Sequence, residues 1–553
     1  MKTILFSLLL SFVTLGTCHA DLVIEAETAA VRTEGGSIGS GIWNLYSSGR
    51  VGENLEVAKA GEYEVIVRAY GEAAGGVWPQ MAIMVDGQTQ SEQTVDSDKP
   101  ADYRFTVTLR AGAFEVAAAF LNDAVIDDED RNLYLDRITI IPPEDVAAPK
   151  ITTREAVWAM CDKREEAVLA ATVESIEKNR KENAVVVVTD SSGKPLPDVA
   201  VSIELVRHEF LFGCNLFEFD RYATDDENRI YKRRFEELFN AATLPFYWRP
   251  YEWRKGKPDY DKTDELVAWC KERGIRMKGH PLLWGHEAGI PPWSDGQPSP
   301  ELQRCRVEEI MRRYRGEIVF WEVVNEPSHI VEPKIDAPYR WARAADPTAH
   351  LIVNDYHAMA NGYPPFFRLL TAAKQSGVPF DGVGIQAHEP RTMRFPLDQV
   401  QRVLDQYAKL GKDLHITEFT PTTNGAAVVG WREGATWTAE LQADYAEKFY
   451  RVCFSHPQVV AITWWDLCEN QSWLEGGGLL RKDFTPKPVY TRLQKLIHDE
   501  WSTKIVTKTD ADGRVHFRGF RGEYRIKVEG GGEKLLAIGK SAPNRCTIVV
   551  DRD

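Results

Sequence analysis

Between Phe210 and Asp466 eight short apolar runs alternate with stretches of helical periodicity, and this alternation constrains the fold more than anything else in the chain. The runs are Phe210–Cys214, Ala241–Leu244, Arg276–Trp284, Ile318–Glu326, Leu351–Tyr356, Gly382–His388, Leu414–Glu418 and Val459–Asp466. Amphipathic stretches such as Asp261–Arg273, Glu301–Tyr314, Leu397–Leu410 and Thr438–Phe454 lie between them. Strands buried on both faces read as continuous apolar runs, and strands alternating with helices build a parallel sheet. Eight such units within residues 209–501 match the usual size of a (β/α)8 barrel, so the fold class is α/β with a TIM barrel at its centre.

The flanks have a different texture. Residues 21–142 alternate apolar and polar over short runs, as in Tyr63–Tyr70 and Phe105–Leu109, with turns such as Asp86-Gly87 between them. That pattern predicts a β-sandwich module. Residues 143–183 read as a linker and helix, with Thr152 and Glu155 as a capping box. Residues 184–208 read as strands preceding the barrel, and residues 502–553 have the same character. Each tract is too small to bury a core alone, so the two are expected to pair into one small β domain.

Residues 1–20 carry Lys2, an apolar run and a small-residue end at Ala20, the pattern of a secretory signal peptide. Thr17 is a poor residue before the cysteine of a lipoprotein site, so export without a lipid anchor is the expectation. No later segment is apolar for long enough to span a membrane. The net charge of −15 argues against a nucleic-acid partner. Beyond Cys18 the cysteines are Cys161, Cys214, Cys270, Cys305, Cys453, Cys468 and Cys546. They are scattered, without a CxxC pair. They fit buried thiols with room for one bridge, not a disulfide scaffold or a zinc site.

Active sites of such barrels lie at the C-terminal ends of the strands. The runs end near His280 and Trp284, at Asn325-Glu326, Asn354-Asp355-Tyr356, Gln386-Ala387-His388, Thr417-Glu418 and Trp464-Trp465-Asp466. A buried strand does not finish in an unpaired carboxylate without cost. Taken singly, each residue has a plain reading: a glutamate in an ion pair, a core histidine, a packed tryptophan. Their convergence on one rim favours a shared task. Two glutamates facing across a barrel mouth suit glycoside hydrolysis, in which one carboxyl protonates the leaving oxygen and the other attacks the anomeric carbon. His388 and the Asn325 amide are suited to orient the nucleophile and a sugar hydroxyl, and Trp284, Trp465 and Trp473 offer flat apolar faces.

Gly279–Trp284, Trp321–Glu326, Asn354–Tyr356, Gly382–His388 and Ile416–Glu418 together resemble glycoside hydrolase family 10, and Pro486–Tyr490 resembles its closing segment. The resemblance covers about residues 205 to 501. It implies a retaining endo-β-1,4-xylanase that needs no cofactor for catalysis, with Glu326 as acid/base and Glu418 as nucleophile. It also implies His280, Trp284, Asn325, Tyr356, Gln386, His388, Trp465 and Trp473 around the bound sugar. One departure stands out. Where the family has Glu-Asn-x-x-Lys-Trp after strand two, this chain has Pro245, Phe246 and Arg249 in the Glu, Asn and Lys positions. Two polar sugar contacts are lost, an aromatic wall is expected in their place, and Arg249 is carried as a sugar contact. Gly285 also separates Trp284 from His286, which the family has adjacent.

Ile24–Glu27, Phe120–Asp123 and Asp130–Asp136 resemble the ends of calcium-dependent, xylan-binding modules of families 36 and 60. Calcium takes several oxygen ligands. Asp123, Asp127, Asp128, Glu129 and Asp130 share one loop that suits it, with Asp123 and Asp130 carried forward; a second, structural calcium is assigned to Glu25, Glu27 and Asp136. The expected partner is xylan or a related cell-wall polysaccharide, with no nucleic acid. Three readings follow: a secreted retaining endo-1,4-β-xylanase; a retaining β-glycosidase on a related β-linked polysaccharide; and a non-catalytic carbohydrate-binding protein.

Overall fold

The computed structural model describes residues 21–550 except 127, 330–334, 362, 431, 433 and 542; of Asn361 it describes the backbone only. The predicted leader, residues 1–20, and Asp127 lie outside the described residues. The chain divides into two compact units, one through Asp162 and one from Lys163.

The first unit is a sandwich of two antiparallel sheets. One orders Gly36–Gly39, Ile42–Leu45, Asn132–Ile141, Gly61–Glu72 and Ala101–Leu109, with Leu22–Glu25 also paired to Asn132–Ile141. The other orders Lys150–Ile151, Arg50–Val57, Gly112–Phe120, Gln80–Val85 and Gln88–Thr94, with Val31–Arg32 on Arg50–Val57. The period of two does the sorting: Tyr63, Val65, Val67 and Ala69 point inward from one strand, Tyr103, Phe105, Val107 and Leu109 from its neighbour. The stretch expected to be a linker contributes to the sandwich, because Lys150 and Ile151 pair with Glu56 and Leu55. Thr152 continues that ladder, its N–H donating to Asn54 O at 2.8 Å. The predicted cap therefore moves by one residue: Thr153 Oγ1 accepts from Ala156 N at 3.2 Å, ahead of the helix Arg154–Arg180.

In the second unit eight parallel strands close a barrel. They are β1 Leu211–Asn215, β2 Ala241–Pro245, β3 Arg276–His280, β4 Phe320–Asn325, β5 His350–Asp355, β6 Gly382–Gln386, β7 Asp413–Phe419 and β8 Val459–Trp464. Neighbours in sequence are neighbours in space, β8 pairs with β1, and β3 meets β4 through Lys278–Phe320 and Gly279–Trp321. A Cβ on Gly279 would lie 2.2 Å from the Trp321 ring, so glycine is what lets these two strands close on each other. Helices pack outside, several with Ser or Thr caps: Ser299 starts Pro300–Arg313 and Thr438 starts Ala439–Ser455.

The two β tracts that bracket the barrel in sequence meet. Lys181–Thr189 lies between Arg514–Phe520 and Arg545–Val549 in one sheet. Ala200–His208 lies between Lys504–Lys508 and Gly522–Val528 in another, which Gly532–Ile538 extends. Their shared core holds Val186, Val188, Ile203, Ile526 and Ile548. Of the described cysteines, Cys214, Cys270, Cys305, Cys453, Cys468 and Cys546 are free thiols; Cys305 is exposed and the others, like Cys161, are buried. No helix among the described residues is long and apolar enough to cross a membrane.

Candidate active site

Glu326 and Glu418 stand at the ends of β4 and β7, and each is gripped differently. Glu326 follows β4 in a left-handed backbone conformation, φ 55°, with its N–H on Asn354 O at 2.9 Å. A non-glycine residue held there carries strain, which the surroundings must fix. Beyond it, buried Asp355 accepts from Ser328 N at 2.9 Å and from His329 Nδ1 at 2.7 Å, anchoring the loop. The Glu326 carboxyl receives Trp284 Nε1–H at 2.9 Å on one oxygen and Gln386 Nε2–H at 2.9 Å on the other. Burial pushes its pKa above the ordinary glutamate value; the Gln386 and Trp284 bonds work against this and the Glu418 charge adds to it.

Glu418 is 5 % exposed. Asn354 Nδ2 donates to its Oε1 at 3.2 Å, and His388 Nε2 lies 3.3 Å from its Oε2. Thr417 Oγ1 donates to Asn354 Oδ1 at 2.5 Å, which turns the Asn354 amide nitrogen toward Glu418 and toward Asn325 Oδ1, 2.9 Å away. The amide on Glu418 is thus Asn354's, and Asn325 meets Glu418 only indirectly: it helps hold Asn354. Gln386 donates to Glu326, so its Oε1 is the atom facing His388 Nε2 at 3.3 Å.

Beneath the rim lies a buried charged row. Glu322 on β4 is 0 % exposed and binds both Lys278 Nζ and His280 Nδ1 from β3. Burial raises its pKa, but Lys278 and His280 beside it outweigh this and hold it down to about 2. His280 Nε2 meets the Tyr247 hydroxyl at 3.0 Å. The ligand atoms of His280, Glu322 and Glu418 all lie within 4.8 Å of one another, so this row reaches Glu418.

The remaining predicted residues divide. Trp465, at the end of β8, stands edge-on to His280 and to Phe217, ring centroids 5.4 and 5.1 Å away. Trp473 stacks on His388 at 4.6 Å, stays 45 % exposed, and carries Arg391 over its ring at 4.4 Å. Tyr356 sits beside Glu326 and stacks on His329 at 3.5 Å. Arg249 turns aside: its Nε donates to Glu287 O at 3.0 Å and its Nη2 lies 3.3 Å from Glu287 Oε1. The aromatic wall expected from Phe246 is not made by that residue, which is fully buried against Tyr251, Tyr314 and Trp321. Tyr247, one residue on, supplies it. Gly285 does not separate His286 from Trp284 in space, because the two rings stack at 4.3 Å. Sequence reasoning missed Tyr247, Phe217 and Glu322, and passed over Asn354 although it stood at a strand end.

In the sandwich, Asp123 and Asp130 share one loop. Burial and then the Asp130 charge raise the Asp123 pKa, and Asn132 Nδ2 donates to Asp130 Oδ2 at 3.2 Å. Buried Arg131 anchors the loop through Val77 O and Ala74 O, each at 2.8 Å. Two carboxylates in mutual range fit a hard dication. Of the second predicted set, Asp136 Oδ2 lies 3.3 Å from Arg68 and 3.5 Å from Arg137, Glu25 is exposed and Glu27 is half-buried.

Residues 204–496, more than half of the chain, match the family described as Glycosyl hydrolase family 10. The chain belongs to glycosyl hydrolase family 10. Residues 64–153 of this family 10 protein match a second family, described as Ca-dependent carbohydrate-binding module, xylan-binding. Among curated relatives, the anti-sigma-I factor RsgI6 of Acetivibrio thermocellus is 29% identical over 368 residues, covering 64% of this chain and 46% of that protein. The endo-1,4-beta-xylanase/feruloyl esterase of Xylanibacter ruminicola is 27% identical over 285 residues, covering 43% of this chain and 39% of its own. The chain thus spans less than half the length of these two relatives. A similar solved structure is xylanase 10B from Thermotoga petrophila RKU-1, with 22% identity, 53% of this chain and 95% of that chain covered, and a TM-score of 0.45.

Proposed function

We propose that the chain is an exported endo-1,4-β-xylanase that cleaves internal xylan bonds with retention of configuration. The observation that carries the mechanism is the unequal treatment of the two glutamates. Burial and the neighbouring Glu418 charge favour the protonated form of Glu326, so Glu326 is the acid that protonates the leaving oxygen. Glu418 is met by the Asn354 amide and by His388, donors that steady a carboxylate aimed at the anomeric carbon. Its oxygen forms the bond to that carbon as the glycosidic C–O bond breaks. Glu326, now ionised, then takes a proton from water, which displaces Glu418 and releases the sugar with its original configuration.

The match of the sandwich module to xylan-binding modules, and the names of family 10 relatives, support xylan as the polymer. Bound calcium would supply a fixed positive centre for sugar hydroxyls; Asp123 and Asp130 are the side chains we assign to hold it. Tethering such a module to the barrel raises the enzyme's local concentration on the polymer. Export rests on residues 1–20 and is tested by comparing cell and medium fractions.

The deciding experiment is reducing-end release from glucuronoxylan by the wild type, Glu418→Ala and Glu326→Ala, with products sized. Short xylo-oligosaccharides from the wild type and almost none from the variants are expected. Activity through the same glutamates on another β-linked polymer would redirect the substrate and keep the mechanism. Polymer binding without new reducing ends on xylan, mixed-linkage glucan or cellulose would make the barrel a binding protein.

A further inference from the structure

The ring of His280 has no free nitrogen for a sugar. Its Nδ1 is bonded to Glu322, and its Nε2 lies 3.0 Å from the Tyr247 hydroxyl. Glu322 is an ionised, buried acceptor, so both Lys278 and His280 Nδ1 donate to it. In the tautomer that gives its Nδ1 hydrogen to Glu322, Nε2 carries the lone pair and accepts the Tyr247 O–H. Burial and then the carboxylates of Glu418, Glu322, Asp466 and Glu326 keep that phenol protonated, so the proton it gives to His280 stays available.

With its hydrogen committed, the Tyr247 oxygen offers only lone pairs. The ring is held from three sides: Phe217 edge-on at 5.6 Å, Trp284 tilted at 5.8 Å, and His280 edge-on at 5.3 Å. On the same loop Pro245 has no polar side-chain atom and Phe246 is buried in the core.

We propose that Tyr247 is a specificity-determining residue of the cleft, accepting a hydrogen bond from one hydroxyl of the sugar held beside Glu418. Its phenol oxygen does this as an acceptor, oriented through Lys278, Glu322 and His280. The ligand class is a neutral pyranose with a free hydroxyl at that position; a sugar lacking it leaves the buried oxygen without a donor, which is how polar sites discriminate. This rests on the reading of the cleft as a glycosidase.

The test is a double cycle. Wild type and Tyr247→Phe are assayed on 4-nitrophenyl β-xylobioside and on its two analogues lacking either free hydroxyl of the xylose next to the aglycone. Tyr247→Phe is expected to lose about tenfold in kcat/KM on the parent and on one analogue, and to match the wild type on the other. Equal losses on all three overturn the proposal and leave Tyr247 as a prop for His280. Should Tyr247→Phe fail to fold, Tyr247→Leu serves in the same cycle. Wild-type turnover of the parent tests the xylan reading separately; if only the aryl β-cellobioside is cleaved, the cycle is run on that glycoside and its deoxy analogues.

Discussion

The two sides of the barrel mouth are built on opposite plans. On the side of β4 to β7, each carboxyl oxygen of Glu326 has its own donor, Glu418 has one on each oxygen, and those donors are themselves held, Asn354 by Thr417 and Gln386 by its contact with His388. On the side of β2 and β3 the rim is aromatic: Tyr247 stands over His280, and Trp284 sends its one N–H across to Glu326. Redundant hydrogen bonding preorganises chemistry, which tolerates little displacement. A wall of rings with one oxygen instead selects which sugar fits, and it can change without disturbing the reaction.

That contrast predicts a ladder of effects. Glu418→Ala should lower kcat by about four orders of magnitude or more on every substrate. Glu326→Ala should cost about 10²- to 10⁴-fold in kcat/KM on xylan, but little in kcat/KM on an aryl glycoside whose leaving group needs no proton, while kcat on the latter falls because release of Glu418 has lost its base; an equal loss of kcat/KM on both would end the division of roles. Glu322→Gln strands Lys278 in the core and should destabilise the fold by about 3–5 kcal/mol in denaturant titration. Because the folded pKa of Glu322 is depressed to about 2, its contribution to stability is complete above the ordinary glutamate range and fades as pH falls toward 2. Trp284→Phe removes a donor that lowers the Glu326 pKa, so the basic limb of the pH–rate profile should move to higher pH while the acidic limb stays. Phe246→Asn, which restores the family's residue, should lower stability by about 3 kcal/mol without improving turnover, since that side chain faces the core. Arg249→Ala should change kcat/KM least, because Arg249 is tied to Glu287.

What could be read from sequence follows from how local each signal is. The barrel strands show as apolar runs because both of their faces are buried, and Glu326 and Glu418 show because a carboxylate closes two of those runs. Tyr247 was hidden because β2 ends at Pro245 and the chain turns into the short helix Trp248–Tyr251. The period of two stops there, so parity no longer says whether residue 246 or 247 faces the cleft. Asn354 was visible as a polar strand end, but its hold on Glu418 depends on Thr417, two strands away. The ion pair at Asp136 was hidden for the same reason: Arg68 reaches Asp136 across paired strands, at a distance in sequence that spacing does not reveal.

The discontinuous β domain sets an order of events during synthesis. Lys181–Thr189 finds its two partners only when Arg514–Phe520 and Arg545–Val549 have left the ribosome, after the whole barrel has been made. Until then Lys181–Thr189 and Ala200–His208 wait as unpaired edges, the kind of surface that recruits other nascent chains. Closing so long a loop is entropically tolerable but slow. The barrel must therefore fold first and hold those edges near where the tail will arrive, and a stop codon just after residue 501 would release a protein with its barrel complete and both adhesive strands uncovered.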